Sequence, residues 1–152
     1  MSREEELRDA LIKGLNLTEE KVKVARTRRI SLEVEYSAFE GALKFITAQL
    51  KFSRMPSITG LDEADKLSLV YVLENDEGII LSLKTSVAKD NPVIRSVTTQ
   101  FPSADIYERE LVDLFGFKVD GLARGNRYPL SDDWPADEHP LRKDWKPKGE
   151  RS

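Results

Sequence analysis

The sequence predicts an α+β domain, with helices packed on a mostly antiparallel sheet and an extended C-terminal tail. Two observations carry this prediction. Helical periodicity and two-residue alternation succeed each other in the order α-β-β-α-β-β-α-α over the first 121 residues. After Asp120-Gly121 neither period is sustained, while four prolines and both tryptophans gather between Leu122 and Ser152. The boundaries that follow are a domain over 1–121 and an interaction tail over 122–152. At 152 residues the chain is long enough for one real core and short for two.

The first helix runs from Ser2 to Leu15. Ser2 and Glu5 fit a capping box, Leu7, Ala10, Leu11 and Leu15 share one face, and Gly14 suits a stop. Val22 to Arg26 and Ile30 to Tyr36 alternate apolar with polar residues, as half-buried strands do. Ser37 and Glu40 predict a second capping box, opening a helix to about Lys51 with Phe39, Ala42, Leu43, Ile46 and Leu50 on one stripe. Thr59 to Asp62 and Glu74 to Gly78 read as turns. They bracket two antiparallel strands, Lys66 to Leu73 and Gly78 to Thr85. Asn91-Pro92 predicts a short helix reaching about Gln100, and Ser103 caps a last one ending at Gly116.

Composition narrows the function. Hydrophobic residues make up 39% and charged residues 34%, as in a globular protein with a mixed-sign surface. A net charge of −3 provides no basic field for nucleic acid or an anionic membrane. No apolar run approaches the roughly 20 residues of a spanning helix, and the acidic start Met1 to Glu6 has no leader character. The expected location is therefore cytoplasmic, with any membrane association supplied by partners. Cysteine is absent and His139 is the single histidine, so thiolate-held clusters and multi-histidine cages are excluded from this chain.

The last helix and the tail concentrate the chemistry. Tyr107, Leu111, Leu114 and Phe115 are expected to face inward, with Glu108 and Val112 to one side. Arg109, Glu110 and Asp113 are placed on the outer face, where Arg109 and Asp113 are spaced to pair. The bland alternative is a solvated helix whose ion pairs contribute a few tenths of a kcal/mol each. General acid–base work by Glu108, Glu110 or Asp113 has no nucleophile, second histidine or phosphate-binding loop beside it. In the tail, Trp134, Trp145, Leu130 and Leu141 with their prolines fit an interface arm, or a lid folded back on its own domain. Proteolysis of the tail is expected first at Arg124 to Arg127 or after Lys143.

Two blocks in fixed order carry a resemblance. Tyr107-Glu108-Arg109-Glu110, Asp113 and Phe115-Gly116 form the first; Asp132-Asp133-Trp134 and Pro140-Leu141-Arg142-Lys143-Asp144, followed by Trp145, form the second. Together they resemble the signature of the hydrophilic C subunit (30 kDa subunit) of respiratory complex I. That family also includes the corresponding subunit of energy-converting, membrane-bound nickel–iron hydrogenases and formate hydrogenlyases. Complex I members usually show Gly-His-Pro where this chain has Gly121-Leu122-Ala123, and here Pro135 to Glu138 intervenes before His139. In pattern the chain is closer to the hydrogenase branch.

The resemblance implies a non-catalytic subunit of a cytoplasmic arm, beside a large nickel–iron-type catalytic subunit and an iron–sulfur subunit. It implies no cofactor in this chain, with the nickel–iron centre and the iron–sulfur clusters held by those partners. Arg109, Arg142 and Lys143 would pair with carboxylates, and Trp134 and Trp145 would serve as anchors. The competing readings are a complex I-like C subunit of the NADH/quinone or F(420) type, and a free-standing adaptor unrelated to redox chemistry.

Overall fold

The computed structural model describes residues 1–123 and 128–147. It is α+β, with three α-helices and a mixed, mostly antiparallel five-stranded sheet. The chain divides into two compact units.

The first unit comprises 1–58 and 69–86. Its first helix, α1, spans Arg3–Leu15, and the capping box forms: Ser2 Oγ accepts from the Glu5 N–H at 3.1 Å, and Glu5 Oε2 accepts from the Ser2 N–H at 3.1 Å. The stop differs from the expected one. Asn16, in the left-handed region at φ 53, ends the helix, while Gly14 lies inside it. A Cβ on Gly14 would fall 2.2 Å from the Phe45 ring, so this glycine serves helix–helix approach.

Strands β1, Val22–Arg26, and β2, Arg29–Glu33, pair antiparallel, with Val24 opposite Ile30. Helix α2 spans Tyr36–Ala48 and buries Phe39, Ala42, Leu43 and Ile46. The expected Ser37 capping box does not form. The helix has already begun at Tyr36, so Ser37 is helical and Glu35 occupies the cap without a side-chain bond.

Strands β3, Arg54–Asp62, β4, Lys66–Glu74, and β5, Ile80–Ala88, complete the sheet in the order β1-β2-β5-β4-β3. β2 and β5 pair in parallel, with Ile30 beside Leu81 and Leu32 beside Leu83. β3 is a correction. Thr59 to Asp62, read as a turn, belongs to this strand, and the turn is Glu63-Ala64-Asp65. Pro56 and Gly60 blur the alternation that would have betrayed it. Between β4 and β5 the Asn75 side-chain oxygen accepts from the N–H groups of Glu77 and Ile79 at 3.0 and 2.9 Å, setting the expected turn.

The second unit comprises 59–68 and 87–152. Here the expected Asn91–Gln100 helix is replaced by a short strand, β6, Val93–Arg95. It pairs in parallel with β7, Lys118–Asp120, placing Ile94 against Val119. Val93, Ile94, Val97, Thr98 and Thr99 are all β-branched, which outweighs the Asn-Pro start signal. A single 3-10 turn, Pro102–Ala104, leads into α3, Asp105–Phe115; Ser103 does not cap it. Ile94, Val97, Phe101, Ala104, Leu111, Phe115 and Phe117 form this unit's apolar core.

Candidate functional site

Helix α3 buries Glu108, Leu111, Asp113 and Phe115, while Tyr107 and Leu114 are only half-buried. Gly60 of β3 lets the helix approach closely: a Cβ there would sit 2.7 Å from the Phe115 ring and 3.1 Å from Leu111. Glu108, expected at the edge of the inward face, is fully buried. Its carboxylate accepts from Ser96 Oγ at 2.6 Å and from the Val97 N–H at 2.8 Å, tying the segment after β6 to the helix. Burial raises the Glu108 carboxyl above its usual range, and the bonds from Ser96 and Val97 offset that only in part.

The outer face also differs from expectation. Arg109 grips Asp105, one turn earlier, through two bonds of 2.7 and 3.0 Å, and donates to the Ala123 carbonyl at 2.7 Å. An acid N-terminal to its base is the better order along a helix, so Asp105 wins over Asp113. Asp113 is buried, 6% exposed, and its Oδ2 accepts from the Leu130 N–H at 3.3 Å. Glu110 remains half-buried.

The tail is seated on the end of α3. A helix leaves its last carbonyls without intrahelical partners. Here three successive ones are taken by the tail: Asp113 O by His139 Nδ1 at 3.0 Å, Leu114 O by the Leu141 N–H at 3.0 Å, and Phe115 O by Arg142 Nε at 2.5 Å. A cationic donor at this end also meets the negative pole of the helix. Gly116 ends the helix at φ +81, and a Cβ there would lie 2.6 Å from His139 Cδ2 and 3.1 Å from Arg142 Nη2. Only glycine meets both demands. Arg142 is thus half-buried, not outside the fold as an arm residue would be.

A second anchor lies at Asp62 with Lys89, for which the sequence carries no local signal. The Asp62 side chain is 1% exposed. It accepts from Lys89 Nζ at 2.8 Å, from the Lys143 N–H at 2.7 Å and from the Ala64 N–H at 2.9 Å. Burial pushes its carboxyl up, but the bonds from Lys89, Lys143 and Ala64 outweigh burial and hold it at about 2. Lys89 Nζ also lies 3.7 Å from Asp144 Oδ1.

The tryptophans form a clasp inside the tail. Trp134 Nε1 donates to the Glu138 carbonyl at 2.8 Å, Trp145 Nε1 donates to the Glu138 carboxylate at 3.2 Å, and the two rings lie 5.8 Å apart. Pro140 is half-buried. Asp132, Asp133, Lys143 and Asp144 have exposed side chains, and Leu141 is 52% exposed. The Ser131 hydroxyl donates to Asp133 at 2.5 Å and holds that carboxyl below its usual range. The structure therefore brings Asp113, His139, Leu141 and Arg142 together, and leaves Asp132 and Asp133 at the surface.

Among the described residues no group of three or more histidine, cysteine, aspartate or glutamate side chains is placed to hold a metal ion. Among the same residues no helix is long and apolar enough to cross a membrane.

The chain is similar to several known proteins. Over 120 residues the chain is 31% identical to the C subunit of the F(420)H(2) dehydrogenase of Methanosarcina mazei, covering 77% of this chain and 75% of that one. It is 38% identical over 95 residues to hydrogenase-4 component G of Escherichia coli, covering 59% of this chain and 17% of that one. Against the C subunit of the NADH-quinone oxidoreductase of Salinispora tropica the identity is 37% over 101 residues, which is 63% of this chain and 40% of that protein's length. In three dimensions it resembles a chain of the membrane-bound sulfane sulfur reductase, an archaeal respiratory membrane complex. The TM-score is 0.85 at 25% identity, covering 97% of this chain and 88% of that one. These relatives are subunits of oxidoreductase complexes. The family model of the respiratory-chain NADH dehydrogenase 30 Kd subunit matches residues 32–151, most of the length, and the chain belongs to that family.

Proposed function

We propose that this chain is a non-catalytic structural subunit in the cytoplasmic arm of a membrane-bound respiratory oxidoreductase. The complex is of the energy-converting nickel–iron hydrogenase or formate hydrogenlyase type. The chain docks beside the large catalytic subunit and helps hold the arm through which electron transfer is coupled to ion translocation. The nickel–iron centre and the iron–sulfur clusters belong to the large subunit and its iron–sulfur neighbour, and membrane attachment comes through them.

One observation carries this reading. The tail is held by the His139 and Arg142 side chains and by the N–H groups of Leu141 and Lys143, so the exposed side chains of Leu141 and Lys143 are set in place while their main-chain groups do the holding. An exposed apolar side chain with charged neighbours matches the make-up of an interface, with apolar contact inside and a polar rim around it. Similarity to hydrogenase-4 component G favours the hydrogenase branch. Similarity to the F(420)H(2) dehydrogenase and NADH-quinone oxidoreductase subunits supports a second reading, in which the same kind of subunit serves a different electron donor and acceptor.

Native purification of the tagged chain from its host tests the proposal. Recovery of a nickel–iron hydrogenase-like large subunit in equal amount supports it, and a quinone-module large subunit supports the second reading. Consistent absence of either leaves an adaptor as the answer.

A further inference from the structure

Asp62 sits where three separate segments converge. Its carboxylate receives the Ala64 N–H from the β3–β4 turn, the Lys89 ammonium from the segment after β5, and the Lys143 N–H from the tail, 81 positions away. A carboxylate this deeply buried is stable as an anion only while its donors stay in place. The tail's donor is a backbone group. Leu141 and Lys143 both bond inward through their N–H groups, to Leu114 O and to Asp62, while both side chains are exposed. The seating and the outward surface therefore use different atoms of the same residues.

We infer that Asp62 and Lys89 form a latch that seats the tail in the free chain, so that the tail meets its partner as a preformed ledge and not as an arm that orders on contact. The docking role of the tail rests on the function proposed above; the latch itself rests on the geometry alone. A preformed ledge loses less conformational entropy on binding than a flexible arm. The ledge presents Leu141 flanked by Lys143, which fits a small apolar hollow edged by a carboxylate.

Hydrogen exchange on the full-length free chain tests this. The Leu141 and Lys143 amides are expected to be protected, and Asp62→Asn and Lys89→Met should each cut the Lys143 protection tenfold or more. Amides of α1 and α2 should stay as in wild type, which excludes general unfolding as the cause. Lys143→Ala keeps the backbone donor, so the tail should remain seated. Unprotected Leu141 and Lys143 amides in the wild-type free chain overturn the inference, as does unchanged protection in both latch variants. Failure of the wild-type chain to recover a large subunit would instead count against the proposed function and leave the exchange data to decide the latch.

Discussion

Arg142 Nε donates to the carbonyl of Phe115 at 2.5 Å, closing the end of α3 with a side chain 27 positions further along. The two blocks that the sequence singles out, Tyr107 to Gly116 and Asp132 to Trp145, meet at this helix end. The first block supplies the helix end, and the second supplies the groups that satisfy it.

Arg142→Ala removes that donor and the packing over Gly116. Loss of a charge-assisted bond at a half-buried site should cost about 1–2 kcal/mol. Chemical denaturation read by tryptophan emission reports it directly, because both tryptophans are in the tail. Melting that equals wild type would show that the tail is not held there.

Gly116→Ala should be worse. The left-handed conformation costs a non-glycine residue about 1–2 kcal/mol, and the new Cβ collides with His139 and Arg142. The expected signature is a lowered melting temperature together with altered tryptophan emission. A variant as stable as wild type would refute the close approach of tail to helix.

The pH dependence has a definite sign. Asp62 is held at about 2 against an ordinary value of 3.8, a depressed carboxyl. Its contribution, roughly 2 kcal/mol, is present above the ordinary value and is lost as pH falls from about 4 towards 2. Glu108 acts in the opposite direction, since its raised carboxyl favours the protonated folded state. Acid titration of stability in wild type and Asp62→Asn separates the two. The variant should lose the fall between about pH 4 and 2 that the wild type shows.

Metal content offers an independent check. The isolated chain should contain no stoichiometric iron, nickel or zinc, because it has no cysteine and a single histidine, and no cluster of potential ligands is placed for a metal among the described residues. Elemental analysis of the pure chain decides this. One tightly held metal per chain would contradict the scaffold role.

Much of the fold is legible from local pattern. The Ser2–Glu5 capping box, the alternation in β1 and β2, the α2 stripe and the Gly116 stop are short-range signals, and each lies where the sequence predicts it. What escapes depends on partners far along the chain. β6 is a strand because β7 arrives after α3 to pair with it. Asp113 is buried, and Asp62 is a hub, because the tail returns to them. The signature residues can be named from the sequence, but not which of their bonds are internal. Nothing local distinguishes an arginine that caps a helix from one that waits for a carboxylate. The 124–127 stretch, where the sequence predicts early cleavage of the tail, lies outside the described residues.

In the proposed complex the ledge of the tail lies against the large catalytic subunit. Cross-linking mass spectrometry on the native complex, using a lysine-to-carboxylate reagent, tests it most directly through the exposed Lys143. Links from Lys143 to carboxylates of the large subunit are expected, and they should be lost in Lys143→Ala. A complex that contains the large subunit but links Lys143 only within its own chain would contradict it.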